Sequence, residues 1–160
     1  MFHPDDSGVY ARTAASPGRR WLGVGMQYLL GLLVLYVLLM QPPAPVWAVL
    51  MAAVGIGALV LGERMRRATT RALELRAETL CDDTGQVIAR IEDVVAVERG
   101  VFAFKPSNGF VLVMKEKGSR AWAPGLWWRA GRRVGIGGVL PQAETKFMAE
   151  VIATWIAQRG

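Results

Sequence analysis

The sequence predicts an α+β membrane protein. An N-terminal two-helix transmembrane hairpin is followed by a small antiparallel β-sheet or open barrel, and a C-terminal amphipathic helix closes the chain. Three observations predict this: two long uncharged apolar runs divided by prolines, a change to two-residue alternation beyond Arg71, and a last segment with apolar residues at helical spacing. Composition agrees. Of the 160 residues, 52% are hydrophobic, and a mean hydropathy of +0.28 is too apolar for an ordinary soluble domain. The net charge of +6 would suggest nucleic acid or a membrane surface in a soluble chain, whereas in a membrane protein it records topology.

The first run, WLGVGMQYLLGLLVLYVLLM, occupies residues 21–40 without a charge. As a helix it is about 30 Å long, the thickness of a bilayer's hydrocarbon core. The second, VWAVLMAAVGIGALVLG, fills residues 46–62 and is about 25 Å long, with the helix continuing through Arg67 as it leaves the lipid. Residues 41–45 form a short non-cytoplasmic turn, because Pro42, Pro43 and Pro45 lack backbone donors and disfavour helix before them. A cleaved signal peptide is the rival reading, since Val46-Trp47-Ala48 loosely mimics a cleavage site. The length of the first run and the immediate second run argue against it. Arg12, Arg19 and Arg20 precede the first span, Arg64, Arg66, Arg67 and Arg71 follow the second, and the turn carries no basic residue, so both termini are expected to be cytoplasmic. Trp21 and Trp47 begin the spans, where amphipathic rings favour the interface. Residues 1–20 are expected to be a disordered cytoplasmic tail.

Neither span contains Asp, Glu, Lys, Arg or His, the groups that proton relays and ion paths need, which argues against a transporter acting alone. Gln27, Tyr28 and Tyr36 suit interhelical hydrogen bonds or headgroup contact. Ala52, Ala53, Gly55, Gly57 and Ala58 give the second span a small-residue face, with Ala53 and Gly57 spaced by four. That pair serves either packing within the hairpin or docking onto a partner's helices.

From residue 71 to 160 the pattern is that of a cytoplasmic β domain. RALELRAETL puts Leu73, Leu75, Ala77 and Thr79 on one side and Glu74, Arg76 and Glu78 on the other, which reads as one strand. Asp83-Thr84-Gly85 supplies a turn, and VIARI, VVAVERGVFAF and GFVLVMK are β-branched or aromatic strand runs. PSNG, residues 106–109, reads as a hairpin loop in which Asn108-Gly109 is able to take positive φ. RAWA and the stretch around RRVGIGG add one or two strands. In QAETKFMAEVIATWIAQRG, residues Phe147, Met148, Val151, Ile152, Trp155 and Ile156 recur at helical spacing, with Pro141 at the first helical position and Gly160 at the stop.

A two-span hairpin, a basic exit, strands with turns such as CDDTGQVIARIEDVVAVERG and a final helix resemble the bacterial pleckstrin-homology-like (PH-like) small membrane proteins, over roughly residues 20 to 158. The resemblance is architectural and rests on no invariant motif. It implies a small β-barrel closed by a helix, a bacterial inner-membrane location, and a binding or assembly role without catalysis. About 90 residues follow the second span, which is short for the seven strands of such a domain.

No catalytic set is evident. His3 is the only histidine, so neither a histidine triad nor a multi-histidine metal site is available. Cys81 stands beside Asp82 and Asp83 without the cationic neighbours that activate a thiolate, and reads as structural. Glu92, Asp93 and Glu98 cluster in sequence without a partner that separates an acid from a base. Glycines 131, 135, 137 and 138 run GxxxGxGG, unlike either nucleotide-loop pattern, and read as backbone geometry. No cofactor, metal, nucleic acid or small-molecule substrate is expected.

From Lys117 to Ala143 there is no acid, and Trp122, Trp127, Trp128, Arg129, Arg132 and Arg133 crowd together. Three readings stand: core tryptophans with a solvated basic rim, a surface against anionic lipid, and a partner protein's contact face. Tethering to the membrane argues against stacked nucleic acid. The function expected is a non-enzymatic, membrane-anchored accessory or assembly protein bound to a larger membrane complex. The alternative is a direct binder of anionic lipid headgroups at the cytoplasmic leaflet.

Overall fold

The computed structural model describes residues 2–100 and 106–159. The chain is α+β: two long apolar helices, two antiparallel sheets and a C-terminal helix. Strand β1 (Val9–Ala14) leads into helices α1 (Pro17–Met40) and α2 (Pro45–Ala68). Strands β2 (Ala72–Arg76), β3 (Thr79–Asp82) and β4 (Val87–Arg90) follow, then a 3-10 turn at Ile91–Asp93. Strands β5 (Val94–Glu98), β6 (Phe110–Ala123) and β7 (Trp127–Ile136) precede helix α3 (Gln142–Ala157).

Both α1 and α2 are long and apolar enough to cross a membrane. Their side chains are mostly exposed, which separates them from the core helices of a soluble domain. The helices pack on each other where side chains are missing. A methyl group on Gly31 would stand 2.9 Å from the carbonyl oxygen of Gly55, and one on Gly62 would stand 3.1 Å from Cβ of Gln27. Small residues thus let the two backbones approach, the packing mode that suits helices without a water-driven hydrophobic contact.

The N-terminal tail is not disordered. Residues 9–14 form a strand whose Val9, Ala11 and Thr13 are buried, and it pairs with β2 through Thr13 opposite Leu73 and Ala14 opposite Ala72. The alternation VYARTA carries the signal, and the neighbouring Asp5, Ser7 and Gly8, which read as tail, instead build a turn. Asp5 Oδ1 accepts from Ser7 N, Ser7 Oγ and Val9 N. Edge-on ring contacts of Phe2 with Phe147 and Tyr10 with Trp155, at 5.7 and 4.9 Å, fix the segment to α3. The helical pair is therefore an excursion between two paired strands, and the domain receives one strand from before it.

The sheets are ordered β1-β2-β3-β4 and β5-β6-β7. RALELRAETL is two strands rather than one: the chain reverses at residues 77–78 so that Leu75 faces Leu80, and both are fully buried. A continuous strand would have left Leu80 without that partner. GFVLVMK and RAWA belong to one long strand, β6. Asn108 has φ of 55°, as its loop requires, while residues 101–105, which include the expected VFAF strand, and Gly160 lie outside the described residues. Helix α3 begins one residue after Pro141, which serves as its N-cap. Met148, Val151 and Ile152 of α3 join Leu73, Leu75 and Leu80 of one sheet and Phe110, Leu112 and Ile136 of the other in a single core.

Candidate functional site

The stretch rich in tryptophan and arginine is one β-hairpin. Pro124 and Gly125 occupy the middle of a turn in which Leu126 N donates to Ala123 O at 3.1 Å, and Gly125 has φ of 82°. Proline followed by a residue of positive φ is the chemistry of a type II turn. The turn sets Trp122 opposite Trp128 and Ala123 opposite Trp127. The signal of this turn lies in APGL, residues 123–126, which the separate strand readings of RAWA and the RRVGIGG stretch left unused.

The hairpin does not present its six expected residues together. Trp127 is 5% exposed and belongs to the core, a correction to its expected place on the surface. Trp128 lies over Gly135, whose missing side chain makes room for the indole. Arg129 is a clamp: Nε donates to Ser119 O at 2.8 Å, Nη2 to Ser119 Oγ at 3.0 Å, and Nη1 to Ile88 O at 3.3 Å, tying β7 to the far sheet. Arg133 pairs with Glu98 at 3.5 Å. Arg132 and Trp122 are exposed. Gly137 N donates to Leu126 O and Gly138 N to Ser107 O, so the last two glycines join loops.

Trp122 instead faces the end of α2. Together with Arg64, Arg67, Arg71 and Pro124 it lines a cleft of about 370 Å³ where the β domain meets the helix. The junction is tightly built. Arg20 Nε donates to Thr69 Oγ1 at 3.1 Å, Arg19 Nη1 to Leu140 O at 3.3 Å, and Ser16 N to Val139 O at 3.3 Å. Arg71 Nη1 donates to Asp82 Oδ2 at 2.9 Å, and Arg67 Nε to Glu63 Oε1 at 2.7 Å. Arg66 takes both oxygens of Glu63 at 2.8 Å. Arg64 is exposed and has no ion pair or hydrogen bond among the described residues. Four guanidiniums, those of Arg64, Arg66, Arg67 and Arg71, thus stand against the carboxylates of Glu63 and Asp82, which leaves this end of α2 electropositive. Asp82 stays ionised: burial opposes its charge, but donors from Thr84, Gln86 and Arg71 outweigh it and hold the carboxyl below its ordinary value.

In the sequence, Arg64, Arg67 and Arg71 mark only the orientation of the spans. Their clustering with Trp122 depends on the turn at Pro124-Gly125 meeting α2, a contact between residues about 60 positions apart that no local pattern encodes. Tyr28 does make the interhelical hydrogen bond its position suggested, donating to Glu63 Oε2 at 2.8 Å.

A second surface lies on α2 itself. Ala53 and Gly57 are exposed, and a methyl group added to Gly57 would meet nothing within 4 Å. Packing within the hairpin falls to Gly31, Gly55 and Gly62, so the pair spaced by four faces away from α1.

The remaining groups are otherwise engaged. Glu98 holds Arg133, Glu92 lies 3.6 Å from Arg90, and burial raises the Cys81 thiol above its ordinary value. Among the described residues no three His, Cys, Asp or Glu side chains converge as metal ligands. No family model matches the sequence, and no curated protein or solved structure matches it either.

Proposed function

We propose that this is a non-enzymatic accessory or assembly protein of the bacterial inner membrane. Its α1–α2 hairpin spans the bilayer with both termini cytoplasmic, and its β domain, of PH-like architecture, sits at the cytoplasmic surface. Four strands plus three strands plus one helix support the PH-like reading, with β1 supplying the strand that the length after the hairpin lacked. Absence of basic residues between the helices supports the orientation.

One observation carries the partner. The outward Ala53 and Gly57 form a second close-approach face on α2 after the hairpin has used its own, and the occupant that suits it is an apolar helix of a larger membrane protein. Extraction in mild detergent should recover the chain in stoichiometric complex with that protein, and Gly57→Leu should release it while the hairpin persists. The runner-up, a binder of anionic lipid acting alone, predicts a solitary chain in the same extract.

A further inference from the structure

The arginine cleft at the end of α2 does not stop at the β domain. A second cleft, lined by Leu59, Val60 and Glu63 and sharing Arg64 and Arg67 with the first, continues from it along the helix. The pair is therefore amphipathic: guanidiniums and the exposed Trp122 at one end, aliphatic side chains of the apolar run at the other.

We infer that these joined clefts hold one anionic phospholipid, its headgroup phosphate between Arg64, Arg67 and Arg71 and an acyl chain along Leu59 and Val60. Each part answers one part of the ligand. Arg64 has all its donors free among the described residues, and guanidinium matches phosphate oxygens by paired N–H bonds. Arg67 and Arg71 are held by Glu63 and Asp82, which fixes their guanidiniums in place and leaves further N–H groups to donate. Trp122 stands where an indole meets the headgroup layer if α2 leaves the bilayer near Glu63. A free phosphate ion shares the headgroup's chemistry but has no use for the aliphatic half. The residues differ from Arg129 and Arg133, which lie on the β-hairpin away from α2 and are engaged by Ser119 and Glu98.

This rests on the proposed spanning of the hairpin, and the experiment separates the two. The full chain is first washed with alkaline carbonate in its native membranes. Retention is expected, and release would refute the spanning hairpin and this site with it. The retained protein is then extracted, delipidated and offered phosphatidylglycerol or phosphatidylcholine, with bound lipid counted by native mass spectrometry. Phosphatidylglycerol should be preferred, and Arg64→Gln with Arg67→Gln should reduce its retention by roughly fivefold per arginine. Lys115→Gln with Lys146→Gln removes the same charge from exposed positions of the β domain outside the clefts and should leave retention unchanged. Equal retention of the two lipids, an unaffected double variant, or an equal loss in the control pair would overturn the site. Displacement of the lipid by millimolar inorganic phosphate would identify a simple anion site and overturn the lipid assignment.

Discussion

Arg71 Nη1 donates to Asp82 Oδ2 at 2.9 Å, and this bond joins the turn that leaves α2 to the end of β3. The Asp82 side chain is 2% exposed, and its other oxygen accepts from Thr84 N, Thr84 Oγ1 and Gln86 N at 3.1, 2.6 and 2.9 Å. One carboxylate therefore organises the β3–β4 turn and anchors the helix exit to it.

Acid should loosen that junction. Because the folded carboxyl titrates below its ordinary value, its stabilisation is fully present above the unfolded value and is lost as pH falls through the folded one. The thermal stability of the purified chain should therefore be independent of pH near neutrality, with the Asp82 contribution fully present, and decline below about pH 4. Asp82→Asn should cost about 2 kcal/mol at pH 7 and flatten the acid decline. An unchanged acid profile in the variant would show that other carboxylates govern it.

Removing residues 1–14 tests the strand that precedes the hairpin. Loss of β1 strips β2 of its outer partner and α3 of the Phe2 and Tyr10 contacts, so limited proteolysis should cut the β domain far faster in the truncated chain. A free tail would leave the digestion rate as it was.

Gly135 and Trp128 form a steric pair. Gly135→Ala drives a methyl group into the indole and should lower stability by about 1–3 kcal/mol. Adding Trp128→Ala relieves the clash, so the double variant should be no less stable than Trp128→Ala alone. Additive losses in a double-mutant cycle of thermal unfolding would contradict the contact.

Much of this molecule could be read from local pattern, and the reason is physical. Continuous apolar runs, prolines between them and the apolar spacing of Phe147 to Ile156 act within a few residues of themselves, so α1, α2 and α3 are visible in the chain. The strands were visible as alternation, but their ends were not. Where RALELRAETL turns depends on Leu75 finding Leu80, and β1 depends on β2, which lies some 60 residues away. The candidate site suffered most from the same cause. Trp127 and Arg129 have the composition of a surface patch, yet one fills the core and the other clamps Ile88, while Arg64 gains its setting only where the β6–β7 turn meets α2.

Two glycines on α2 bear most directly on the proposed role. Gly55 packs on α1, whereas Gly57 faces outward with empty space around it. The decisive measurement is the mass of the assembly recovered in mild detergent for wild type, Gly57→Leu and Gly55→Leu. An accessory protein docked through its outward face predicts a stoichiometric assembly with a larger membrane protein for wild type. Gly57→Leu should yield a folded solitary chain, and Gly55→Leu a destabilised hairpin. A wild-type chain that is always solitary, or a Gly57→Leu chain that keeps its full assembly, would contradict it.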